Sequence, residues 1–281
     1  MGQGISLHIG VNSVNPDDYG GWSGPLSACE SDANDMQKLA ARQGFDTKVL
    51  LTASATRAAI ISSIRDAAKR LEAGDFFLLT YSGHGGQVHD ANADEPDALD
   101  ETWCLYDCQL IDDELRNLWP EFRTGVRVLV LSDSCHSGTV TKAPPDADPA
   151  VTDVLGRLQY LYDTRPHLFR CMPEAITYKA YKAKESYYDR VQRELPAEPA
   201  DIAATVRLIS GCQDNQLSME GDKNGAFTAE LLDVWRNGRF NGNYSAFHAA
   251  IVSRLPPTQS PNHLIMGKQN PVFDAEKPFT L

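Results

Sequence analysis

The chain has 281 residues, 42% apolar and 23% charged, enough for one large α/β domain or two small ones and too apolar to be disordered as a whole. Phosphate binding needs clustered positive charge, and a net charge of −12 argues against a nucleic-acid partner. No apolar run approaches the roughly 18 residues of a membrane span and no export signal opens the sequence, so a cytoplasmic protein without a membrane partner is expected.

Runs rich in β-branched and aromatic residues alternate with helix-period segments, the pattern of an α/β fold with a mostly parallel central sheet flanked by helices. In chain order the pattern predicts a strand over 5–11, a helix over 28–42 and a strand over 47–51. A helix over 56–73 follows, with Ile60, Ile64, Ala67 and Leu71 on one face, and then strands over 76–81 and 126–132. Residues 141–203 read as an insertion bounded by prolines, partly helical and exposed, rich in aromatic and basic residues. A strand over 204–210 and helices over 226–236 and 244–254 complete the chain. The expectation is one domain, with a larger portion over 1–140 and a smaller one over 204–281.

The negative charge has a location. Between Leu71 and Leu115 there are twelve Asp and Glu and no Lys or Arg, whereas charges balance elsewhere. Such a block is a solvated loop, or beside a reactive site it selects cations or holds a hard metal ion. Six cysteines in a chain this long, without an export signal, are expected as reduced thiols. Cys104 and Cys108 have the spacing of half a zinc site, but no second pair of ligands accompanies them.

Two segments share one form, an apolar strand followed at once by small residues and a reactive side chain. They are Asp75-Phe-Phe-Leu-Leu-Thr-Tyr-Ser-Gly-His84-Gly-Gly and Val126-Arg-Val-Leu-Val-Leu-Ser-Asp-Ser-Cys135-His-Ser-Gly. In an open parallel sheet, ligands bind at the carboxyl ends of strands, so both side chains emerge at one edge. An imidazole beside a thiol can supply the base that makes a thiolate at neutral pH, and a thiolate attacks an amide carbonyl. Backbone N–H groups of Gly85 and Cys135 are placed to hold the oxyanion, with His84 as acid for the leaving amine. His136 follows the cysteine directly, but adjacent side chains diverge, so it is not the expected base.

The segment Tyr81-Ser-Gly-His-Gly-Gly86 resembles the histidine motif of the caspase superfamily, and Asp133-Ser-Cys-His-Ser-Gly138 the cysteine motif of metacaspases. Leu26-Ser-Ala-Cys-Glu-Ser-Asp-Ala33, the acidic stretches 94–101 and 111–115, Ile209-Ser-Gly-Cys-Gln-Asp-Asn-Gln216 and Gly225-Ala-Phe-Thr228 extend the resemblance over most of the chain outside the insertion. What it implies is a caspase-like fold and a cysteine endopeptidase, usually a monomer, with His84 and Cys135 as catalytic dyad. It also implies a pocket lined by Cys29, Asp32, Ser82 and Asp133 for the side chain before the scissile bond. Two carboxylates there favour Arg or Lys, so protein or peptide substrates with basic residues are expected. The insertion carries Arg165, Arg170, Lys179, Lys182, Lys184, Arg190 and Arg193, which makes self-processing within it an expectation.

By the same resemblance Asp112 and Asp113, with Asp97 or Asp100, match calcium ligands. Seven positions after Cys135, where the calcium-dependent pattern has an acidic residue, this sequence has Lys142. An ammonium offers no lone pair, so calcium dependence is expected to be weak or absent and no cofactor to be required. A scaffold of the same fold without activity, and a transpeptidase, remain the alternatives.

Overall fold

The computed structural model describes residues 2–91, 99–135, 149–196, 200–212 and 218–281. Strand β1 (Gly4–Gly10) leads into helix α1 (Cys29–Arg42), β2 (Asp46–Leu51), α2 (Arg57–Arg70) and β3 (Phe76–Ser82). Three short strands follow, β4 (Gly85–His89), β5 (Leu99–Cys104) and β6 (Gln109–Ile111), and then α3 (Asp112–Arg116) and β7 (Arg127–Asp133). Helices α4 (Pro149–Thr164), α5 (Glu174–Ala183) and α6 (Glu185–Glu194) precede β8 (Thr205–Ser210), α7 (Ala226–Trp235), α8 (Tyr244–Val252), β9 (Asn262–Gly267) and α9 (Pro271–Ala275).

The main sheet has the order β2-β1-β3-β7-β8-β9, parallel except for β9. Its centre is β3 and β7, whose residues are all buried. That explains their near-continuous apolar runs, since a central parallel strand is covered on both faces. The pleat sorts them: Phe77, Leu79, Val128 and Val130 join Ile60 and Ile64 of α2 on one face. Phe76, Leu78, Leu129 and Leu131 join Met36 of α1, Leu231 of α7 and Phe247 of α8 on the other. The five strands and four helices read from periodicity are all present, with ends shifted by a few residues. Among the described residues no helix is long and apolar enough to cross a membrane.

Three regions differ from expectation, the first being the antiparallel edge strand β9, which periodicity did not predict. Strands β4, β5 and β6 form a separate antiparallel sheet that periodicity did not predict. The insertion is more ordered than an exposed linker: α6 buries Tyr188 and Val191 against Val88 of β4 and Ile111 of β6. The Tyr188 hydroxyl accepts the Gln109 N–H at 3.1 Å, and Gln192 Nε2 donates to the His89 carbonyl at 2.8 Å. Aromatic residues here supply packing area and a polar tip together.

His8 in β1 is wholly buried, bridging Thr80 Oγ1 and Ser6 Oγ at 2.9 Å each. Burial lowers its pKa from 6.5 to about 3. The unfolded chain therefore binds a proton below 6.5 that the folded chain refuses until about 3, so this contribution to stability is full above 6.5 and lost as pH falls. Urea unfolding between pH 5.5 and pH 4 should show a stability slope shallower by up to about 1.4 kcal/mol per pH unit in His8→Gln than in the parent chain.

Candidate active site

The register of β3 and β7 pairs Ser82 with Asp133. His84 and Cys135 each lie two residues further on, so both strands deliver their reactive side chains to the same edge of the sheet. His84 is buried, and its Nε2 faces the Gly24 carbonyl oxygen at 3.1 Å, which places the proton on Nε2. Among the described residues Nδ1 has no hydrogen-bond partner, which leaves its lone pair for another proton. Trp22 covers the ring with centroids 4.8 Å apart. Gly24 has a φ of +49°, and a Cβ there would press against His84 Cδ2 at 3.0 Å, so glycine is needed. Burial lowers the His84 pKa to about 4, with Cys135 near enough to oppose the shift, and the imidazole is neutral at neutral pH.

Cys135 is wholly buried, and its sulfur accepts the Ser218 N–H at 3.0 Å. The thiols of Cys171 and Cys212 interact with Cys135, and that interaction together with burial holds both well above their ordinary range. All six cysteines are buried.

The four residues carried over from the resemblance converge as a group, and a side chain from the insertion fills the space between them. Arg170 has no exposed surface. Its Nη2 lies 2.8 Å from Asp32 Oδ2, an ion pair not aligned as a hydrogen bond. Its Nη1 lies 3.1 Å from Asp133 Oδ2 and donates to Ser82 Oγ at 2.8 Å, and its Nε donates to Glu220 Oε2 at 2.7 Å. Cys29 lines the same space and feels the charge of Arg170. Each carboxylate is held from behind. Asp32 accepts from Ser82, Asn224 and the Gly225 N–H, and Asp133 from Ser218 Oγ and the N–H and hydroxyl of Thr228. Glu220 Oε1 accepts the N–H groups of Ser27 and Ala28 at 2.8 and 2.6 Å. A Cβ on Gly225 would overlap the guanidinium.

Burial pushes the Asp32 carboxyl up to about 6, with Arg170 opposing the push and Asp133 adding to it. Burial would raise Glu220 too, but Arg170 and the N–H groups of Ser27 and Ala28 outweigh it and hold that carboxyl below its usual range. The pocket is therefore a set of like charges that one cation reconciles.

The backbone around Arg170 is bound as closely as its side chain. Phe169 bridges Met219 in antiparallel fashion, Arg170 N donates to the Ser218 carbonyl at 3.0 Å, and Glu220 N to the Leu168 carbonyl at 2.8 Å. On the other side Met172 N donates to the Gly85 carbonyl at 2.7 Å. The Arg170 carbonyl oxygen accepts the N–H of Gly85 at 2.9 Å and that of Cys135 at 3.1 Å. These are the two donors the sequence assigns to an oxyanion.

Arg170 was one of seven basic residues expected on an exposed segment, and the structure buries it; its apolar neighbours Leu168, Phe169, Cys171 and Met172 were the available signal. Glu220, Ser218 and Asn224 were not singled out, and nothing in their local sequence marks them. Among the described residues no group of three His, Cys, Asp or Glu is close enough to hold a metal ion, Cys104 and Cys108 included. Removal from water, then the charges of Glu101, Asp113 and Asp100, raise the Asp112 carboxyl, although the residue as a whole is exposed and the neighbouring charges are the firmer cause. Asp97, His136 and Lys142 lie outside the described residues.

Emptying the pocket should be costly while its carboxylates are ionised. In a Cys135→Ala chain, Arg170→Ala should lose about 3 kcal/mol of stability at pH 7. The loss should shrink at pH 5, as Asp32 takes up a proton. Urea denaturation at the two pH values measures both.

The chain matches the family model described as the caspase domain, of peptidase family C14, over residues 12–280. Metacaspase-1 of Saccharomyces cerevisiae is 29% identical over 258 residues, 82% of this chain and 57% of that protein. Metacaspase-1 of Cryptococcus neoformans is 30% identical over 259 residues, 82% of this chain and 54% of that one, so the chain spans little more than half the length of these relatives. Among solved structures, protein GSU0716 from Geobacter sulfurreducens is 49% identical over 99% of both chains, with a TM-score of 0.86. Caspase-1 from Spodoptera frugiperda shares the fold at 10% identity and a TM-score of 0.55, over 95% of this chain and 86% of that one. Over residues 12–280, the chain belongs to the caspase-domain family of cysteine peptidases, with metacaspases among its relatives.

Proposed function

We propose that this chain is a cysteine endopeptidase that cuts after Arg or Lys, and that its own Arg170–Cys171 bond is a substrate. One observation carries the reading: the Arg170 side chain fills a pocket of three carboxylates while its carbonyl oxygen receives the N–H groups of Gly85 and Cys135. A peptide with a basic residue before its scissile bond would be held by the same groups.

The chemistry follows from the groups at hand. The Cys135 thiol gives its proton to His84 Nδ1 as the sulfur bonds to the Arg170 carbonyl carbon, and the carbonyl π pair becomes an oxyanion between two N–H donors. Collapse of this intermediate expels the Cys171 nitrogen, which takes the proton from His84 and leaves as an amine. Water then splits the thioester, freeing the Arg170 carboxyl and restoring the thiol. A neutral His84 suits the first step, and the Gly24 carbonyl supports the imidazolium formed in it. In this reading the protein works as a monomer on proteins or peptides that present a basic residue.

Purified wild-type chain should yield two fragments on storage, one ending at Arg170 and one beginning at Cys171, that remain associated. Intact-mass spectrometry under native and denaturing conditions reads both properties. Cys135→Ala and His84→Ala should stay whole, and Arg170→Asp should lose this cut. A wild-type chain that stays whole and leaves basic reporter peptides untouched would favour a scaffold of the same fold.

We also propose that no cofactor is required and that calcium matters little, an expectation that rests on Lys142 standing where an acidic ligand would be needed. Self-cleavage in chelator should match that in millimolar calcium to within about twofold. Strict dependence on calcium would mean that a neighbouring carbonyl completes an ion site despite the lysine.

A further inference from the structure

Three carboxylates face Arg170, but they do not meet it at the same height. Asp32 and Asp133 lie at the far end of the side chain, where they meet Nη2 and Nη1 at 2.8 and 3.1 Å. Glu220 meets Nε at 2.7 Å, one atom short of the guanidinium carbon. An ammonium at the end of a lysine could serve the first two. It could not also reach the third, because lysine has one nitrogen and carries methylene groups where arginine has Nε.

Glu220 is not free to follow a shorter reach. Its other oxygen is fixed by the N–H groups of Ser27 and Ala28 and by Ser27 Oγ at 3.3 Å, and its side chain is 6% exposed. With lysine in the pocket, Oε2 would be left buried and without a donor, a penalty arginine does not incur. Gly225 adds a steric reason, since the guanidinium occupies the place a Cβ would take and the pocket is cut to that planar group.

We infer that Glu220 is a specificity-determining residue that makes this peptidase select Arg over Lys before the scissile bond. The inference rests on the proposed reading of this pocket as the subsite for that residue. Asp32 and Asp133 provide attraction for any cation, and Glu220 provides the distinction between two cations of equal charge. A site built to hydrogen-bond a group rejects an analogue lacking it more strongly than a site that merely accommodates it.

The test uses two peptides identical except for Arg or Lys at the cut, with self-processed wild type and self-processed Glu220→Gln. The amide keeps an acceptor for Ser27 and Ala28 but can turn a donor toward Nε. Wild type should show kcat/KM higher for the Arg peptide by at least about tenfold, and Glu220→Gln should lower that ratio by about tenfold or more, losing more on Arg than on Lys. In the intact chain, Arg170→Lys should slow single-turnover self-cleavage by a similar factor. Equal kcat/KM for the two peptides with wild type overturns the inference, and so does an Arg-to-Lys ratio unmoved by Glu220→Gln. Should Glu220→Gln fail to fold, the wild-type peptide pair and the Arg170→Lys chain decide the matter. Failure of wild type to cut either peptide overturns the reading beneath it instead.

Discussion

Arg170 carries a full positive charge with no surface in contact with water, and it can stay there because Asp32, Asp133 and Glu220 surround it. These residues come from α1, from the end of β7 and from the segment before α7, so one guanidinium ties together parts of the chain that are distant in sequence. A buried ion network adds little net stability, because removing each charge from water costs nearly what the attraction returns. What it adds is selectivity about its occupant: three acids held in place by backbone donors tolerate a cation and little else. The same constraint fixes the main chain on either side, since the side chain can reach its partners only if Phe169 lies along Met219 and Met172 lies along Gly85.

Much of the site was legible because strand ends are legible. A run such as Phe76-Phe-Leu-Leu is recognisable as a buried parallel strand, and whatever follows it must emerge at the carboxyl edge. His84 and Cys135 were found that way, and the pairing of Ser82 with Asp133 is the physical reason the inference holds. Asp32 could be placed only through family likeness, for in a helix sequence it looks like any surface carboxylate. Glu220 illustrates the limit of this kind of reading. Its role depends on donors from residues 27 and 28, nearly two hundred positions away, and no local pattern encodes such a meeting.

The small antiparallel sheet was hidden for a different reason. Gly85 and Gly86 read as loop residues, yet a Cβ on Gly86 would crowd Gln109, Cys104 and Met172, so glycine there permits close packing between strands. The strand β5 begins inside the acidic block, whose charge suggests only solvation, and yet its Trp103 stacks on Tyr81 at 4.4 Å. Likewise Tyr181 of α5 and Tyr187 and Tyr188 of α6 look like surface residues until β4 and β6 supply the face they cover. Periodicity reports what one segment buries by itself, whereas these segments are buried by one another.

The order of these pieces along the chain has a consequence for folding. Asp32, Ser82 and Asp133 precede residue 170, whereas Ser218, Glu220, Gly225, Thr228 and the strands β8 and β9 follow it. While the chain is continuous, assembling the sheet and the pocket is a unimolecular event whose only entropic cost for joining the two parts is closure of a loop, and that cost rises slowly with loop length. After a cut at that point, the same contacts would have to form between two separate chains, so recovery from unfolding would become second order and would weaken on dilution. A nicked molecule would hold its shape as long as it stays folded, but would have lost the means of regaining it alone.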